Sequence, residues 1–359
     1  AMTNTIFFVA LTTVATIATA IVYGFGGSLV VSGVLTLGTL LALTALLARL
    51  YGPLTALSNV RVDIMTALVS FERVFEVLDL EPLVKDSKNP LNLPQGPLDI
   101  EFNNVSFSYP TRADVGLETL ELATDGKIEN DTNNLVLNNV SFKVKPGTML
   151  ALVGPSGSGK TTISQLIARL YDPTIGKVTV GNVDIKEVSR DEIRKNIGVV
   201  TQDSHLFHDS IKNNLIYAKE DASESEIWSA LESAQISDFV KSLPDKLDTI
   251  VGDRGYRLSG GEKQRIAIAR VFLKQPRIVI LDEATAHLDN ENEAAVQVAL
   301  ATVLENRTSV VIAHRLSTII NAEQIAVIKE GHLIAIGSHT DLLKDNGVYS
   351  DLYNQQFAV

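Results

Sequence analysis

Residues 154–162 read Gly154-Pro155-Ser156-Gly157-Ser158-Gly159-Lys160-Thr161-Thr162, which contains Gly-x4-Gly-Lys-Thr between an apolar run and a helical pattern. Glycines let successive backbone N–H groups curl around phosphate oxygens, and a helix beginning near Lys160 aims its positive end at them. The spacing therefore predicts Lys160 at the β and γ phosphates of a nucleoside triphosphate and the Thr161 hydroxyl on Mg²⁺. A glycine-rich turn with a solvated lysine is the bland alternative, and the strand-loop-helix context weighs against it. Asp282-Glu283 closes a second apolar run, where adjacent carboxylates are costly unless a cation or a water network meets them. Mg²⁺ would take Asp282 and leave Glu283 as the general base for an attacking water. His314, at the end of a further run, could hydrogen-bond the γ phosphate and link it to Glu283.

Four short apolar runs must carry these groups: Met149–Val153, Ile197–Val200, Ile278–Leu281 and Val310–Ala313. Such runs are typical of parallel strands buried on both faces. Ligands of open α/β sheets bind outside the carboxyl ends of strands, and these runs lead into the glycine loop, Gln202, Asp282-Glu283 and His314. Leu98–Tyr109 and Leu135–Val144 alternate as antiparallel edge strands should. Ser259-x-x-Glu262 is a capping box at the start of a helix carrying Arg265–Phe272. A cap explains Ser259 and Glu262 but not Gly260 and Gly261, which cost helix propensity unless the backbone must closely approach an anion.

The first 48 residues contain no Asp, Glu, Lys or Arg, although the whole chain of 359 residues has a net charge of −11. Ile6–Tyr23 and Leu29–Ala48 are each long enough to cross about 30 Å of hydrocarbon, with a break expected at Gly24–Ser28. A signal peptide would need a basic start and a shorter apolar core, and a buried soluble hairpin is the other alternative. Ala1 before Met2 reads as a cloning remnant. From Arg49 to Leu80 the pattern turns amphipathic, with Pro53 a candidate kink. Pro82, Pro90, Pro94 and Pro97 then mark a linker. The acidic balance argues against a nucleic-acid groove, and the absence of cysteine removes disulfides and thiolate chemistry. His205 and His208 lack the companions a metal site needs.

Taken together, Tyr109, Gly154–Thr162, Gln202, Leu258-Ser259-Gly260-Gly261-Glu262, Asp282-Glu283 and His314 resemble the nucleotide-binding set of an ABC (ATP-binding cassette) ATPase. The resemblance implies an α/β P-loop NTPase with a mixed core sheet, an antiparallel β edge and a helical signature subdomain, preceded by an α-helical transmembrane segment. It implies that Tyr109 stacks on adenine, that Gln202 touches Mg²⁺ and the membrane-domain interface, and that Asp289 serves intersubunit signalling beside an unusual His287. It also implies that Ser259 and its glycines clamp ATP held by a second ABC cassette, in a homodimer or a heterodimer. Thr249–Gly255, Gly33–Gly38 and Glu72–Leu78 resemble the coupling loop, the last two membrane helices and their helical extension in exporter-type members, and the signature and Gln202–His208 look most like actinobacterial exporters.

The implied organisation is a partial transmembrane domain at 1–80, a linker at 81–97 and a nucleotide-binding domain at 98–359. An acidic insertion at 113–134 carries six Asp or Glu against one Lys, and reads as a surface excursion with a hairpin at Asp125-Gly126 or as disorder. An exporter half has six membrane helices, so the chain resembles its C-terminal part, or one whose other helices lie on a partner chain. The expected activity is MgATP hydrolysis coupled to transport, in a multi-pass protein of the plasma membrane with its cassette in the cytoplasm, and with no nucleic-acid partner. A regulatory cassette without turnover, a soluble ABC ATPase, a separate-subunit importer cassette and a siderophore importer of exporter-type fold are the alternatives.

Overall fold

The computed structural model describes residues 2–110, 135–201, 204–252, 255, 258–282, 290–313, 315–345 and 347–356. Its contacts divide the chain into two units, the first built on residues 1–81 and the second holding nearly all the rest.

The first unit is a helical hairpin of α1 (Met2–Val31) and α2 (Leu37–Leu78). The turn falls at residues 32–36, so the expected break at Gly24–Ser28 is corrected: α1 runs straight through those glycines. Glycine is tolerated inside apolar helices where a neighbour approaches closely, and a Cβ on Gly26 would lie 2.4 Å from Leu40 Cδ1. The turn is instead made by Gly33 at φ +74° and by Thr36, whose side chain caps α2 through the Thr39 N–H. Thr12–Val31 is long and apolar enough to cross a membrane, whereas the apolar part of α2, Leu37–Pro53, is shorter. Helix α2 continues through Pro53. Its later part still exposes Ile64, Leu68, Phe71 and Phe75, an apolar face without cover among the described residues of this unit.

The second unit contains two sheets. Strands β1 (Ile100–Phe107), β2 (Leu137–Val144), β4 (Ile175–Val180) and β5 (Val183–Asp184) form an antiparallel sheet in the order β2-β1-β4-β5. Strands β3 (Met149–Val153), β6 (Ile197–Val200), β7 (Ile278–Asp282), β8 (Thr308–Ile312), β9 (Gln324–Lys329) and β10 (His332–Gly337) form the larger sheet, in the order β10-β9-β3-β8-β7-β6. All pairings in it are parallel except β9 with β10. The four anticipated apolar runs are β3, β6, β7 and β8, shifted by at most two residues. Strands β4, β5, β9 and β10 lie outside the sequence-derived set.

The helices of this unit are α3 (Lys160–Ile167), α4 (Arg190–Asn196), α5 (Ile211–Ile216), α6 (Glu224–Ser233), α7 (Ser237–Ser242), α8 (Gly260–Lys274), α9 (Asn290–Leu304), α10 (Leu316–Ile320), α11 (His339–Lys344) and α12 (Val348–Gln356). Two cores result. One lies between the two sheets around α3, with Phe102, Leu152, Ile163 and Ile280 fully buried. The other joins the opposite face of the larger sheet to α5–α9.

The proline-rich stretch after Glu81 is fastened to this second unit. Val84 and Leu93 are buried. The buried Arg169 guanidinium donates to the carbonyls of Lys85, Lys186 and Val188 and to Asp172. Asp86 accepts from the Arg190 N–H at 2.9 Å, the main cause of its lowered pKa.

Candidate functional site

The glycine loop leaves β3 between β9 and β8, where a turn must fit against neighbouring backbone. Gly154, at φ +152°, has its missing Cβ position 2.0 Å from Ile328 O, so the loop tolerates no side chain there. Gly157 and Gly159 also take positive φ, +76° and +105°, values that an L side chain adopts only under strain. Gly159 has no side chain with which to cap α3, so no side-chain cap hydrogen bond is made at this helix N-terminus among the described residues. Its orphan N–H groups and the helix dipole together make an anion site.

Lys160 is 7% exposed, and its Nζ donates to Gly154 O and Pro155 O, each at 2.8 Å. The ammonium is thus held over the loop by carbonyls that an anion can displace. Ser158 Oγ is buried and has no hydrogen-bond partner among the described residues, which leaves a polar position open on the loop wall. Thr161 is exposed at the second position of α3. Thr162 is buried, and its hydroxyl shares a 3.0 Å hydrogen bond with Tyr109 OH. The Tyr109 hydroxyl also donates to Gln165 Oε1 at 2.8 Å, and its ring stands edge-on to Phe107 and Tyr171. The ring is therefore anchored to α3 while remaining 41% exposed.

Sheet order sets the remaining geometry. Strand β8 lies between β3 and β7, and β6 pairs with β7 on the far side, so the four strand ends stand side by side at about 4.8 Å spacing. Asp282 is the last residue of β7, opposite Ile312 on β8, and half-buried. A carboxylate and a hydroxyl are hard oxygen donors that suit Mg²⁺, so Asp282 and Thr161 fit the ion expected beside a triphosphate. Gln202, Glu283, Asp289 and His314, like His287 and the insertion at 113–134, lie outside the described residues.

Ser259 caps α8, accepting from the Glu262 N–H at 3.3 Å, while Glu262 Oε2 accepts from the Ser259 N–H at 2.7 Å. Ser259 and Gly260 are exposed, and Gly261 is buried. Two further groups were missed from sequence. Gln264, buried on α8, accepts from Ser204 Oγ and donates to Thr201 O just before Gln202. Arg270 donates to His205 O, Asn214 O and Asn214 Oδ1, and fully buried Asn214 bonds Phe207 through both backbone groups. Burial lowers the Arg270 pKa. The signature helix therefore fastens the segment after β6. A polar residue every few positions on a helix with an apolar stripe was the signal available for both.

A glycine loop of this shape at the end of a central parallel strand, with an acid ending a strand two places away, defines a P-loop nucleotide-binding protein. Residues 137–286 match the family model for the ABC transporter. The chain is 42% identical to an ATP-dependent lipid A-core flippase of Desulfotalea psychrophila, over 92% of this chain and 54% of the flippase. It is 45% identical to ATP-binding cassette sub-family B member 6 of Rattus norvegicus, over 86% of this chain and 35% of that protein. A bacterial Atm1-family ABC exporter with ATP bound is structurally similar, with a TM-score of 0.77 and 36% identity, over 98% of this chain and 58% of the exporter. The chain carries the ATP-binding domain of the ABC transporter family, and its homologues are exporter-type members of that family. It spans about half the length of the curated relatives it matches.

Proposed function

We propose that this chain is the ATP-hydrolysing part of an exporter-type ABC transporter, coupling MgATP hydrolysis between two cassettes to substrate movement across a membrane. The carrying observation is the glycine loop, whose backbone is bent into a phosphate cradle and whose lysine is held by displaceable carbonyls. In this reading the N–H groups of 154–162 bind the triphosphate, Lys160 moves from the two carbonyls onto the β and γ oxygens, and Tyr109 stacks on adenine. Thr161, Asp282 and Gln202 would hold Mg²⁺, which when bound neutralises phosphate charge. Glu283 takes the proton of the attacking water and His314 holds the γ phosphate, so proton and charge are managed at adjacent strand ends.

Ser259, Gly260 and Gly261 present the second clamp to the nucleotide of a second cassette, with Asp289 at the same interface. Residues 1–80 form part of a membrane domain completed by further helices, 81–97 the linker and 98–359 the cassette. The proposed location is the plasma membrane, with the cassettes in the cytoplasm. In detergent, the Glu283→Gln variant should double its molar mass by light scattering when MgATP is added, and its phosphate release should fall at least about 100-fold. A variant that hydrolyses ATP at the parental rate would refute Glu283 as the base.

A further inference from the structure

Behind the nucleotide-binding strand ends, α9, β8 and α10 enclose a cleft of about 860 Å³. That volume falls within the range of about 300–1,000 Å³ usual for small-molecule pockets. Its floor is apolar, with Met149, Leu281 and Val311, and Leu300 and Leu304 of α9 form one wall. Strand parity sorts β8 cleanly: Val310 and Ile312 enter the core around α3, whereas Val311 and Ala313 enter the opposite core. Ser309 shares the parity of the second set and lines the cleft. Its N–H donates to Thr148 O, but its Oγ, on a residue 0% exposed, has no hydrogen-bond partner among the described residues. A buried hydroxyl without a partner is rare in folded proteins and marks a position where a group is expected.

The rim sets the charge of that group. Arg307 donates to Val303 O and has no acidic partner among the described residues, and Glu305 has no basic one. These two rim charges offset each other. Of the other two charged residues, Arg315 pairs with Glu293, and Glu323 accepts from the Met149 N–H and keeps its negative charge, so the rim has no surplus positive charge to hold an anion. We propose that this cleft binds an uncharged, largely apolar small molecule that hydrogen-bonds Ser309 Oγ. Leu281 precedes Asp282 and β8 leads to His314, so an occupant would touch the rear of two strands that carry the nucleotide site.

The absence of native cysteine makes a direct test available. Ala301→Cys puts a single thiol on an exposed position of the cleft wall, and Asp238→Cys puts one on α7, far from it in sequence and 99% exposed. Both full-length variants, in the same detergent and with matched circular dichroism, are reacted with N-ethylmaleimide with and without 2-naphthol, a neutral aromatic with one hydroxyl. Naphthol should slow the Ala301→Cys reaction at least fivefold and leave the Asp238→Cys reaction unchanged. Adding Ser309→Ala should raise the naphthol concentration for half-protection about three- to tenfold, the loss of one hydrogen bond. Equal slowing of both thiols, no slowing, a thiol at 301 that never reacts, or indifference to Ser309→Ala would each overturn the proposal.

Discussion

Two helix starts in this molecule carry glycines and are proposed to meet phosphate, yet they are finished in opposite ways. Helix α3 begins at Gly159 with no side-chain cap, so its first N–H groups await an outside acceptor. Helix α8 begins at Ser259 inside a complete capping box and needs no ligand to be stable. The difference teaches what each is for. An open helix start costs stability until an anion arrives, which suits a site that holds nucleotide. A self-capped start can stand exposed at a surface and offer Ser259 and Gly260 to something brought from outside.

Gly154→Ala attacks the open site hardest, because its Cβ would collide with β9 backbone that has nowhere to go. Thermal unfolding should show a loss on the order of 3 kcal/mol, and a neutral result would mean that β9 does not pin the loop. Lys160→Ala removes the charge while leaving the turn. ATP affinity by calorimetry should drop about 10- to 100-fold, as expected for lost charge-assisted hydrogen bonds.

At the self-capped helix, Ser259→Ala should cost about 1 kcal/mol of stability. Ser259→Asp sharpens the contrast: it keeps the cap, so stability should stay within about 0.5 kcal/mol, but it puts a carboxylate where the proposed second phosphate would bind. In the Glu283→Gln background it should abolish ATP-driven association in light scattering. Association that survives would reduce Ser259 to a cap.

Helix α6 is self-capped too, by Ser223 and Glu226, and gives the smallest effect. The Glu226 pKa is lowered to about 2, first by the hydrogen bond from Lys219 and then by those from Ser223. A depressed folded pKa means that the contribution is present above the unfolded value of about 4.3 and fades as pH falls through the folded one. Amide-exchange protection in α6, corrected for the intrinsic rate at each pH, should fall over that window, and Glu226→Gln should remove the dependence.

The contrast was half legible in the residues. The capping box at Ser259 was readable because it is a local contract between four adjacent positions. So was the glycine loop, since positive φ and close approach leave few residue choices. The break in the first unit was misread because glycine signals a turn only where no neighbouring helix needs its missing side chain, and Gly26 faces Leu40. Strands β9 and β10 lead into no nucleotide-binding motif, so no chemical pattern marks them in the sequence. Yet β9 supplies the Ile328 carbonyl that makes Gly154 obligatory.

The sequence alone determined the phosphate loop and the capped signature helix, because each rests on residue types within a few positions of one another, and the family resemblance, because several such local motifs follow in one order. Tertiary structure alone decided that β8 separates β3 from β7, that Arg270 and Gln264 fasten the segment after β6, and that Ser309 lies buried with no partner among the described residues. Those facts depend on which strands become neighbours and which faces they turn to each other. Such contacts join residues dozens of positions apart and leave no local pattern to read.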